Sequence, residues 1–236
     1  MLRIRDIDVP FEGTTQNRST KKTYLLTGIF FLLAAFQWFF ILAFVQSDMS
    51  RWSTVLIMSA FLLVTVFHSL SPLRYVYPYN YILMLIITEL MILGTGAMCS
   101  IQSLELMVAV IAIIFFIWIC LVAFGAVVHQ YVQLNPLCFL TIIFLSFMAT
   151  VMLIYMQLVL DTQTVLHLCR ILVCYSIVAV IIYHSAILHS SEASLFQEDY
   201  ILSGLLLFVD YICLFILGIM YVQYKNDTNI KPGQVT

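Results

Sequence analysis

The chain has 236 residues, of which 63% are apolar and 9% charged, and its ten bases and twelve acids leave a net charge of −2. So little charge excludes an ordinary water-soluble domain, and the near-neutral balance offers no basic surface for nucleic acid. Six cysteines (Cys99, Cys120, Cys138, Cys169, Cys174 and Cys213) lie within or beside apolar runs without paired C-x-x-C spacing, which makes them packing residues rather than zinc or redox ligands.

Met1 to Thr20 is polar and carries Asp6, Asp8 and Glu12, so no signal peptide is expected and the first helix directs insertion. About 20 apolar residues span roughly 30 Å of hydrocarbon, and seven stretches qualify. They run from Tyr24 to Val45, Trp52 to Leu70, Tyr79 to Met98, Leu106 to Val128, Leu137 to Leu160, Val165 to Leu188 and Tyr200 to Tyr221. Short linkers carrying Pro72, Pro78 and Pro136 leave no room for a soluble domain. The expectation is an all-α membrane protein, a seven-transmembrane-helix bundle, with residues 1–22 as a cytoplasmic tail, 23–222 as the membrane domain and 223–236 as a polar tail. Arg3, Arg5, Arg18, Lys21 and Lys22 precede the first span and only Arg51 closely follows it, which orients the N-terminus to the cytoplasm. Seven spans then put Lys225, Lys231 and the sequon Asn226-Asp227-Thr228 on the outer side.

Within these spans a few polar residues need an explanation. Asp210 lies mid-way along the last span, where a carboxylate costs about 3 kcal/mol or more unless it meets a partner or lines a path. Glu89 lies ten residues from Tyr79, as Asp210 lies ten from Tyr200; at 1.5 Å per residue both are about 15 Å deep, so they could form an acid pair and transiently hold calcium. His184, near the end of its span, is nominally about 6 Å deep. Arg74 is either a cytoplasmic anchor or a gate partner, and Arg170 belongs to the opposite surface. Trp38, Trp52 and Trp118 are expected in packing and in the interfacial belt. His68, His129, His167 and His189 lie near span ends and are expected as interfacial polar groups. There is no HExxH, GxGD or G-x-S-x-G motif, so the chain is not expected to be an enzyme.

Glu198-Asp199-Tyr200-Ile201, then Asp210-Tyr-Ile-Cys-Leu-Phe-Ile, resembles the last helix of the transmembrane Bax-inhibitor-motif proteins, especially the Lifeguard branch. Arg74-Tyr-Val-Tyr-Pro78-Tyr-Asn80 with Thr88 and Gly96 is similar to a second family motif, and Lys22-Thr-Tyr24 to a third. The resemblance implies a seven-helix bundle of the endoplasmic reticulum or Golgi, a pH-dependent calcium leak with calcium as permeant ion and no cofactor, and negative regulation of apoptosis through membrane-protein partners. It also implies a proton-sharing pair of aspartates on the sixth and seventh helices, with an arginine from the second. Asp210 matches one aspartate and Arg74 the arginine. The family spacing for the other aspartate falls on Tyr183-His184-Ser185-Ala186, and Asp161-Thr162-Gln163 is too far from Asp210 to replace it. Two carboxylates repel and so sense protons, whereas an imidazolium beside a carboxylate attracts it and offers calcium less charge. Asp210, His184, Glu89 and Arg74 are therefore the candidate ion- or proton-sensing residues, with His184 or Glu89 facing Asp210. A gate altered by His184 is one reading; a non-conducting regulator or scaffold is the other.

Overall fold

The structure, a computed structural model, describes residues 12–44, 49–70, 75–100, 102–128, 163–189 and 199–230, with residues 131, 141, 145, 148, 151 and 152. It contains α1 (Glu12–Phe44), α2 (Ser50–Ser69), α3 (Tyr79–Cys99), α4 (Leu104–Val128), α5 (Gln163–His189) and α6 (Tyr200–Ile230), and no strand occurs among the described residues. Six helices are long and apolar enough to cross a membrane. The expected fifth span, Leu137 to Leu160, lies largely outside the described residues, as does Arg74.

Two helices run beyond their expected spans. α1 begins at Glu12 and α6 continues to Ile230, well past the apolar windows Ser19–Phe44 and Tyr200–Val222. Nucleating a helix is costly but extending it is cheap, so polar flanks are recruited into helices that the membrane already stabilises. At the other end of α6, Asp199 accepts a hydrogen bond from the Leu202 backbone N–H at 3.1 Å, capping one of the amides that the first turn leaves without a partner.

Contacts at the helix ends fix the directions. Thr27 Oγ1 donates to the Gly204 carbonyl at 3.2 Å, Lys22 Nζ lies 5.1 Å from the Tyr200 ring centre, and the Tyr81 and Tyr200 hydroxyls are 2.5 Å apart. The starts of α1, α3 and α6 therefore share one end of the bundle. Tyr24 Oη and His189 Nε2, 3.5 Å apart, bring the end of α5 there as well. α4 ends at the same side: Ser185 Oγ donates to the Val122 carbonyl at 2.6 Å, so α4 and α5 are parallel neighbours.

Exposed leucines and phenylalanines cover the outside, among them Leu32, Phe36, Leu62 and Phe116. A helical bundle whose exterior meets lipid needs this arrangement. α3 and α6 are the inner helices, each with 56% of its apolar window buried against 22–28% for the other four. These two carry Glu89 and Asp210. Around them Trp38 stacks on Phe215 at 4.5 Å between ring centres, and Phe31 meets Tyr211 edge-on at 4.6 Å. Trp38 and Trp118 are thus core residues, while Trp52 stays exposed at the start of α2, in the belt position. Cys99 and Cys169 are buried, Cys213 is half-buried, and Cys120 and Cys174 are exposed.

Candidate intramembrane polar site

α5 and α6 run antiparallel, and they bring His184 Nδ1 to 2.7 Å from Asp210 Oδ2. Asp210 is buried, with 6% of its side chain exposed, and His184 is the more open partner at 22%. Depth counted along the helices leaves the two residues more than a turn apart, yet they touch. Side chains lean toward the N-terminus of their own helix. On antiparallel helices His184 therefore leans deeper into the bundle and Asp210 leans back toward the Tyr200 end, which narrows the gap from both sides.

The pair sits in a mostly apolar setting. Beside His184 a narrow cleft between α5 and α6, lined by Ile187, Leu188, Ser203, Leu206 and Leu207, has room for about one water. Tyr183 places its ring 6.2 Å from that of His184, and Cys213 is one turn along α6 from Asp210. With Nδ1 as donor, a neutral imidazole gives the carboxylate one hydrogen bond, and an imidazolium adds an attraction between opposite charges.

Glu89 reaches a comparable depth, because Trp38 ties the two inner helices at one level: its Nε1 donates to the Ile92 carbonyl at 3.0 Å and to Thr95 Oγ1 at 3.1 Å, while its ring stacks on Phe215. The two carboxylates nevertheless engage different partners. Gln37 Nε2 of α1 donates to both Glu89 oxygens, at 3.0 and 2.9 Å. Trp38 follows Gln37 in sequence and Tyr211 follows Asp210, and these two rings are 6.4 Å apart. An aromatic stack thus joins the neighbourhoods of the two polar pairs.

Among the described residues, no group of three or more His, Cys, Asp or Glu side chains is arranged to hold a metal ion. Gln37 is the one member of the two polar pairs that the sequence reading did not single out. The available signal was its type, an amide deep in the first apolar span, at a similar depth to Glu89. His189 bridges to Tyr24 and to the Ser185 carbonyl at 2.8 Å, so it ties helix ends together at the interface. Comparison of the chain with family models, with characterised proteins and with solved structures finds no match in any of the three.

Proposed function

We propose that the protein is a seven-span integral protein of an internal membrane, of the Bax-inhibitor-motif kind, whose His184–Asp210 pair is a proton-sensitive lock on a calcium leak. The observation that carries this reading is the 2.7 Å contact between His184 Nδ1 and Asp210 Oδ2 on two membrane-spanning helices. As long as Asp210 is ionised, His184 holds it in either of its own protonation states, by one hydrogen bond when neutral and with an added attraction when charged. Two carboxylates would behave oppositely. They repel when both are ionised, so such a site loosens as pH rises and gathers charge attractive to calcium.

Flux follows from that sign. Reconstituted in liposomes, the wild-type chain is expected to pass little calcium, with a shallower dependence on pH than a dicarboxylate site would give. His184→Asp is expected to raise the flux by roughly tenfold or more, the equivalent of losing one charged hydrogen bond of about 1.5 kcal/mol, and to make it climb with pH. The same rate and profile in both proteins would defeat the lock. Restricting calcium release from an internal store is how such a protein would restrain apoptosis, as the sequence resemblance implies.

Seven spans are supported by the parallel packing of α4 and α5. The end of α4 and the start of α5 lie at opposite ends of the bundle, a distance that a further span between them would cross. Leu137 to Leu160 is apolar and long enough to do so within the bilayer.

A second reading, a non-conducting regulator acting through membrane-protein partners, is favoured by the separate pairing of the two carboxylates: Asp210 with His184, and Glu89 with Gln37. It predicts no calcium flux from wild type, His184→Asp or Glu89→Gln.

A further inference from the structure

Glu89 stands at an exposed, apolar edge of α3. Ile82, Leu85, Ile86 and Leu93, which share its helical face, are all exposed, and Glu89 itself is half-buried. Its partner Gln37 is also half-buried, beside the exposed Phe36 and Phe40 of α1. The pair therefore lies in the seam between α1 and α3, about 15 Å along α3 from Tyr79, with an exposed apolar outer side that would meet acyl chains in a bilayer.

A glutamine suits both protonation states of a carboxyl, because its amide carries both donors and an acceptor. As found, its amino group donates to both oxygens, which matches an ionised carboxylate. Turning the amide about its last bond puts Oε1 beside one carboxyl oxygen and Nε2 beside the other. A protonated Glu89 could then donate O–H to Oε1 while its carbonyl accepts from Nε2, so no polar atom is stranded in either state. A lysine or arginine partner would satisfy only the ionised form.

We infer that Glu89 and Gln37 form a second, independent proton-binding site, open to the lipid side of the α1–α3 seam and reactive toward apolar carboxyl reagents. It does not rest on the His184–Asp210 lock. Among the described elements, those packed most extensively on α3 are α1, α2 and α6. The charged or titratable groups they carry are remote in sequence register or otherwise engaged: Lys21, Lys22 and Tyr24 lie at the start of α1, Arg51 and His68 at the ends of α2, and Asp210 on α6 is bonded to His184. Tyr211 is fully buried in the aromatic stack and Cys213 is half-buried further along α6. Gln37 is thus the polar group that contacts the Glu89 carboxyl among the described residues.

The test is labelling of the full chain in vesicles with dicyclohexylcarbodiimide, an apolar reagent, followed by peptide mapping. The protonated carboxyl adds across one C=N bond: its oxygen bonds to the central carbon, its proton passes to nitrogen, and the acyl group then migrates to nitrogen with nothing lost. The expected result is an adduct at Glu89 that is absent in Glu89→Gln and declines roughly tenfold per pH unit once the carboxyl is mostly ionised. A charged, water-soluble carbodiimide should leave Glu89 unmodified. In Gln37→Leu, where the ionised form loses both hydrogen bonds, labelling should persist to higher pH. Unfolded protein, in which Glu89 reacts with both reagents, shows that the peptide is detectable. Absence of the adduct in the folded chain, equal labelling by the water-soluble reagent, or an unchanged pH profile in Gln37→Leu would each overturn the inference.

Discussion

Trp38 and Trp118 are buried in one aromatic cluster, yet their indole nitrogens have different surroundings. Trp38 Nε1 donates to Ile92 and Thr95, whereas Trp118 Nε1 is buried without a hydrogen-bond acceptor among the described residues. Replacing either by phenylalanine removes similar volume, so the difference between the two variants isolates the hydrogen bonds of Trp38. Trp38→Phe is expected to be the more destabilising by about 1 kcal/mol in detergent unfolding, in line with the roughly 0.6 to 1.7 kcal/mol of interhelical bonds in membranes. Equal losses would mean that those bonds contribute nothing net. At this scale the sequence was legible in part. Asp210 stood out because a charge in a membrane helix is costly, and its family spacing pointed to His184. Glu89's partner left a weaker signal: Gln37 is an amide at a similar depth, but being neutral it costs less to bury than a charge and does not by itself demand a partner.

Helix packing depends on where backbones approach closely. A Cβ added at Gly125 on α4 would lie 2.5 Å from the Ile182 carbonyl oxygen of α5, and backbone cannot swing aside as a flexible side chain can. Gly28 on α1 has nothing within 4 Å of the same construction. Gly125→Val is therefore expected to lower stability by about 1 to 3 kcal/mol through forced separation of α4 and α5. Gly28→Ala should be neutral or stabilising, by up to about 1 kcal/mol, since alanine is the better helix former. Thermal unfolding of both variants checks the pair; equal behaviour would mean that the α4–α5 contact is looser than described. Hydropathy located the six described spans but could not reveal which helices are neighbours. Nearly every face is apolar, so the contrast that marks a buried face in soluble helices is missing. Small residues and single hydrogen bonds, such as Gly125 and Ser185 to Val122, carry that information instead.

Across the whole molecule, the starts of α1 and α6 share one end, so α1 and α6 leave the bundle at the other. Glu12 and Ile230, the outer ends of these two helices, should consequently lie on opposite sides of the membrane. Cysteines introduced at Lys21 and Lys225 should react with an impermeant thiol reagent from opposite faces of sealed vesicles; reaction from one face would refute the arrangement. Hydropathy gives an odd span count only as an expectation, and basic residues at the helix ends support the later orientation weakly, because Lys225 and Lys231 oppose it. The pairing of the inner carboxylates needed three dimensions. Glu89 and Asp210 sit at comparable depth, and depth alone made them candidates for each other. A double-mutant cycle in detergent unfolding tests that pairing most directly. His184→Ala with Asp210→Ala should give a coupling of about 1 to 3 kcal/mol, and Glu89→Ala with Asp210→Ala a coupling near zero. A strong Glu89–Asp210 coupling with none between His184 and Asp210 would contradict the account.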